Sequence, residues 1–156
     1  MTARIEFQDA SKGFMEGLLK SGMYLKRSTV DARLFELIAY RVSQINGCAF
    51  CIDMHHKDAI HAGESEQRLY SLIVWRETPY FSDQERVVLE FAEVLTNISQ
   101  EEVSDALFKK LLVFFTKAEI ADLALAVALT NSWNRINKTF GTVPGFYQPN
   151  QALVTV

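Results

Sequence analysis

Residues 47–55 read Gly47-Cys48-Ala49-Phe50-Cys51-Ile52-Asp53-Met54-His55, and they mark the junction of two helices. Asn46 and Gly47 tolerate the left-handed conformation that closes a helix. The apolar stripe Leu34, Ile38, Val42 and Ile45 therefore belongs to a helix over about 30–45. Past the glycine, a new helix is expected to hold Cys51 to His61 and to end at Gly63. Its two cysteines, three residues apart at a helix start, share a face and come within disulfide range.

Working outward, the same periodicity predicts helix nearly everywhere. Phe14, Leu18, Leu19 and Leu25 place a helix at about 9–26, and another follows the cysteine helix over about 65–74. Pro79 marks a loop. Ser82-Asp83-Gln84-Glu85 and Thr116-Lys117-Ala118-Glu119 are capping boxes, in which hydroxyl and carboxylate satisfy each other's orphan amides. They open helices over about 83–97 and from 117 to about Gly141, with a further helix near 101–114 between them. Strand signals are weak, and the fold class is all-α: a single-domain helical bundle over 1–156, with its core at about 9–141. The tail 142–156, with Pro144 and Pro149, reads as irregular and as draped over a neighbour.

The 156 residues fit one domain, and nothing in them reads as a linker. With 49% hydrophobic and 22% charged residues, the balance is that of a globular chain rather than a disordered one. Eleven Phe, five Tyr and two Trp exceed what a small helical domain easily hides, so self-association is expected. Net charge is −3, and Lys109-Lys110 and Lys26-Arg27 are scattered, not clustered, so nucleic acid is not an expected partner. The longest apolar stretch, Ala121 to Thr130, contains Asp122 and is too short to span a bilayer. Arg4, Glu6 and Asp9 break up any signal-peptide core, and a cytoplasmic location is expected. Thiols there stay reduced, so two cysteines three apart point to catalysis or metal binding rather than a structural staple.

The cysteines define the chemistry. A helix N-terminus favours negative charge and lowers the pKa of a nearby thiol. His55, four residues after Cys51 and seven after Cys48, lies on their face and can exchange a proton near neutral pH. One thiolate can attack a peroxide O–O bond and become a sulfenic acid, and the other can condense with it to a disulfide that an external dithiol reduces. Other readings stay open. The pair is also half of a zinc site, which would need two more ligands from His55, His56, His61 or carboxylates, and no second ligand cluster stands elsewhere. The cysteines can also simply pack. His56 and His61 read as helix-surface residues, and Asp53, Lys57 and Asp58 as a solvated face. On periodicity alone Glu36 lies with Tyr40 and Ser43 opposite the apolar stripe, as an exposed glutamate would.

Glu36, eleven residues, Cys48, two residues, Cys51, three residues and His55 together form a longer pattern. It resembles the signature of the alkylhydroperoxidase D-like branch of the carboxymuconolactone decarboxylase family. The resemblance runs through the helix at 30–45, the cysteine helix and the stretch from Leu69 to Val94. The closing Asn131-Ser132-Trp133-Asn134-Arg135-Ile136-Asn137 also looks like the ending of relatives. It implies an all-helical subunit assembling into homotrimers or homohexamers, a peroxidase of antioxidant defence needing no cofactor or metal. Carried over, Cys48 and Cys51 become the redox pair and Glu36 and His55 the proton relay, with Glu36 covered by the cysteine helix or another subunit. Substrate would be a hydroperoxide, and the reductant an external dithiol, thioredoxin-like or lipoyl-type. Cys51 is favoured as the attacking thiol because His55 lies one turn away, although Cys48 is nearer the helix end. Where relatives can carry a histidine just before the second cysteine, this chain has Phe50, which removes a proton donor and points to bulky organic hydroperoxides or a slower rate. The decarboxylases lack the cysteine pair, so lactone decarboxylation is disfavoured. A disulfide reductase recycling a peroxiredoxin, and a non-catalytic oligomeric redox sensor or metal-binding scaffold, are the alternatives.

Overall fold

The computed structural model describes residues 2–149, and among them there are helices and turns but no strand. Seven α-helices follow in order: α1 (Glu16–Leu25), α2 (Ala32–Asn46), α3 (Ala49–His61), α4 (Glu66–Ser71), α5 (Asp83–Thr96), α6 (Asp105–Leu111) and α7 (Lys117–Phe140). Short 3-10 turns lie at Phe7–Asp9 and Leu72–Glu77. No helix among the described residues is long and apolar enough to cross a membrane.

The centre of the molecule is α2, which is buried on two faces. One face sends Leu34, Ile38 and Val42 into a cluster with Val88 and Phe91 of α5, Leu107 and Leu111 of α6, and Leu123 and Val127 of α7. The other sends Leu37 and Tyr40 against Ala59 of α3, Leu69 of α4, Leu72 and Trp75. A helix apolar on most of its circumference has to be wrapped by others. That wrapping sets α3, α5 and α7 around it.

Local chemistry fixes most ends as expected. Ser82/Glu85 and Thr116/Glu119 both form complete capping boxes. Gly47 and Gly141 close α2 and α7 with positive φ of 60° and 67°, the conformation a side chain makes costly. Three expectations need adjusting. The helix expected at 9–26 starts only at Glu16, because Gly13 turns the chain at φ 86° and Glu6 with Asp9 closes a separate 3-10 turn. The helix expected at 65–74 tightens to 3-10 after Ser71, and this spacing of three brings both Leu72 and Trp75 into the core. Near 101–114, Ser104 accepts the Leu107 N–H, so α6 begins later than expected.

The tail is irregular to residue 149, and 150–156 lie outside the described residues. Within the chain, residues 145–147 dock on α3. Lys57 donates to the carbonyls of Gly145 and Tyr147, and the Gly145 N–H donates to Asp53.

Candidate active site

The site forms where α2 ends and α3 begins. The Cys48 N–H donates to the Ser43 carbonyl at 3.0 Å, so the chain turns tightly through Gly47. Cys48 is the N-cap of α3, and its sulfur accepts the Cys51 N–H at 3.4 Å. The two cysteines are joined in a disulfide, with Cα atoms 5.3 Å apart, and each is 1% exposed. Both sulfurs therefore sit at the N-terminal end of a 13-residue helix, where unpaired amides and the helix dipole favour a thiolate once the bond is reduced.

The polar run near the end of α7 holds this turn. Asn134 is 0% exposed; its Oδ1 accepts from the Asn46 side chain at 2.8 Å and its amide donates to Ser43 Oγ at 3.0 Å. Asn131 Oδ1 accepts a second bond from Asn46, and Lys138 Nζ donates to the Asn46 carbonyl. The closing asparagines noted in the sequence thus tie α2 to α7 just before Cys48.

Glu36 and His55 meet. The Glu36 carboxylate lies 3.0 Å from His55 Nδ1, and both side chains are partly shielded. With Nδ1 engaged by the carboxylate, Nε2 is the nitrogen left to exchange protons in the neutral ring. Cys51 and His55 are one turn apart on α3. The face of α2 bearing Glu36, Tyr40 and Ser43 is packed by α3 and α7, and Tyr40 and Ser43 are buried in it. On periodicity alone Glu36 looked exposed; its contact with His55 overturns that reading.

Asp58, read as part of a solvated face, is half-buried and belongs to this cluster. Glu36, His55 and Asp58 place one donor atom each within 4.8 Å of one another. Tyr147 donates its hydroxyl to Asp58 at 2.7 Å. Burial pushes the Asp58 carboxyl above its usual range, and the Glu36 charge adds to this, while the Tyr147 hydrogen bond and the neighbouring His55 and His61 work against it. Burial and then Asp58 push the Tyr147 phenol upward, which keeps it protonated and a donor. Asp53, also read as solvated, accepts from Lys57 at 2.9 Å; burial opposes its ionisation, but Lys57 and the Gly145 amide hold its carboxyl low. His56 pairs with Glu66 at 3.3 Å, and its ring lies against Tyr40.

Among the described residues, Glu36, His55 and Asp58 are the donors that cluster closely enough for a cation, and they already engage one another and Tyr147. A zinc site built on Cys48 and Cys51 lacks its thiolates while the sulfurs are bonded to each other. Sequence reasoning missed Asp58 and Tyr147. Asp58 was discoverable, three residues after His55 and so on its face, whereas nothing local marks Tyr147.

Helical order and site geometry together define a class. Residues 6–94 match the carboxymuconolactone decarboxylase family, and the chain belongs to it, in the alkylhydroperoxidase D-like branch. The uncharacterized protein YdfG of Bacillus subtilis (strain 168) is 38% identical over 141 residues, covering 90% of this chain and 96% of that protein. A solved structure from Agrobacterium tumefaciens, of unknown function and named a candidate antioxidant defence protein AhpD, superposes with a TM-score of 0.88 at 35% identity. It covers 94% of this chain and 100% of its own. An uncharacterized peroxidase-related protein from Silicibacter sp. TM1040 gives a TM-score of 0.76 at 25% identity, covering 88% of this chain and 73% of its own.

Proposed function

We propose that this protein is a thiol peroxidase that reduces organic hydroperoxides in antioxidant defence, with Cys51 as attacking thiol, Cys48 as resolving thiol, and Glu36 and His55 as proton relay. His55 takes the Cys51 proton, and the thiolate attacks the outer oxygen of the hydroperoxide. The O–O bond breaks, Cys51 becomes a sulfenic acid, and the alkoxide leaves as alcohol with the proton from His55. The Cys48 sulfur then attacks Cys51 sulfur, and its proton goes to the departing hydroxide, which leaves as water. One hydroperoxide and two thiols thus give one alcohol, one water and one disulfide. An external dithiol, thioredoxin-like or lipoyl-type, returns the pair to thiols by exchange. The cycle asks for no metal or organic cofactor, and the working unit is a cytoplasmic homotrimer or homohexamer.

The observation that supports this reading most is the 3.0 Å contact of Glu36 with His55, one helical turn from a cysteine pair placed in one disulfide. The carboxylate orients the ring and stabilises the imidazolium that forms when it accepts the thiol proton. The Cys48 sulfur, resting on the Cys51 amide, sits where a resolving thiolate is stabilised. Steady-state consumption of cumene hydroperoxide with dithiothreitol as reductant tests the reading. Wild type is expected to turn over, and Cys51→Ser and Cys48→Ser are expected not to; equal turnover by all three contradicts it.

A further inference from the structure

The docked tail meets the relay through one side chain. Gly145, at φ 103°, turns the chain so that its amide reaches Asp53, while Lys57 holds the carbonyls of Gly145 and Tyr147. Those bonds are sufficient to fix the tail on α3. Phe146 between them points outward and is 83% exposed. Yet Tyr147 goes further. Its hydroxyl donates at 2.7 Å to Asp58, the carboxylate that shares a space of 4.8 Å with Glu36 and His55.

We propose that Asp58 and Tyr147 are positioning residues for the relay: Tyr147 holds the Asp58 carboxylate beside His55, so that the imidazole works between two carboxylates supplied by α2 and α3. This rests on the relay reading given above. The groups facing Asp58 are Glu36 from α2, His55 and His61 from its own helix, and Tyr147 from the tail. Burial and Glu36 favour a proton on Asp58; the phenol opposes it by donating to the ionised form. Remove the phenol, and Asp58 takes its proton at higher pH. The carboxylate also loses the bond that holds it beside His55. The tail thereby links the C-terminal segment to thiolate formation at the start of α3.

The test uses the full-length reduced protein and reads alkylation of Cys51 by iodoacetamide against pH, which needs no peroxide. In Tyr147→Phe, the pH of half-maximal alkylation is expected to rise by about half a unit, and the Asp58 carboxyl titration followed by carbon NMR by about one unit. In Asp58→Asn, alkylation at neutral pH is expected to slow about tenfold, with Asp58→Glu recovering most of the rate. Adding Tyr147→Phe to Asp58→Asn is expected to change nothing further, since the phenol acts only through that carboxylate. An unchanged alkylation profile in Tyr147→Phe, or additive effects in the double variant, overturns the proposal. If these shifts occur but the wild type consumes no hydroperoxide, the peroxidase reading falls and the positioning role stands.

Discussion

Glu36 on α2 and His55 on α3 lie 19 residues apart in the chain and 3.0 Å apart in space. The turn through Gly47 folds α3 back along α2, and the buried asparagines of α7 fix where that turn sits. The carboxylate engages Nδ1, so the ring is held in one orientation with its other nitrogen available. The proposed proton handling at the cysteines therefore depends on how two helices pack.

Glu36→Gln keeps the shape of the contact and removes the charge that supports an imidazolium. Hydroperoxide kcat/KM is expected to fall about tenfold, and His55→Ala about 100-fold, in the range of general acid–base contributions. Both variants are expected to melt close to wild type. Steady-state kinetics beside a thermal melt check this.

The proposed division of roles between the two cysteines makes their serine variants differ in product. Cys48→Ser is expected to be oxidised once, leaving a Cys51 sulfenic acid that dimedone traps at about one equivalent. Cys51→Ser is expected to give little adduct. A dimedone adduct on Cys48 instead reverses the assignment.

Asn134 is fully buried, and its amide serves Ser43 and Asn46 together. Asn134→Ala removes the amide that donates to buried Ser43 and one of the two acceptors of Asn46, which costs about 1–3 kcal/mol. Because those partners carry the Gly47 turn, thiol reactivity is expected to fall along with stability. Denaturant unfolding and iodoacetamide kinetics measure the two effects on one sample.

Glu93 sits among three donors, Trp75 Nε1, Arg76 and Arg41. Burial works against its ionisation, but these donors outweigh it and hold the carboxyl below its usual range. A depressed folded value means its stabilisation is complete above the unfolded value and is lost as pH falls through the folded one. Glu93→Gln, which breaks a largely buried pair with Arg41, is expected to cost about 3 kcal/mol at neutral pH. The melting difference from wild type is expected to shrink below about pH 4.

The sequence carried a good share of this architecture because its signals are local. Asn46-Gly47 stops a helix, Ser82/Glu85 and Thr116/Glu119 start two more, and each behaves as its chemistry dictates. The cysteine spacing likewise marks one turn of helix. What was illegible depends on distant pairing. Glu36 looks exposed until α3 is laid over α2, and periodicity within one helix says nothing about that. Asp58 and Lys57 have the spacing of a wet surface, and only a tail some 90 residues later makes them anchors. The change to 3-10 geometry after Ser71 reflects burial of Leu72 and Trp75, which tertiary packing decides.

The most direct measurement is intact-mass and peptide analysis of the fully reduced protein after one equivalent of cumene hydroperoxide. The account predicts loss of two hydrogens per chain, with Cys48 and Cys51 linked to each other within one peptide and one equivalent of alcohol released. Recovery of both cysteines as free thiols with the hydroperoxide unconsumed contradicts it.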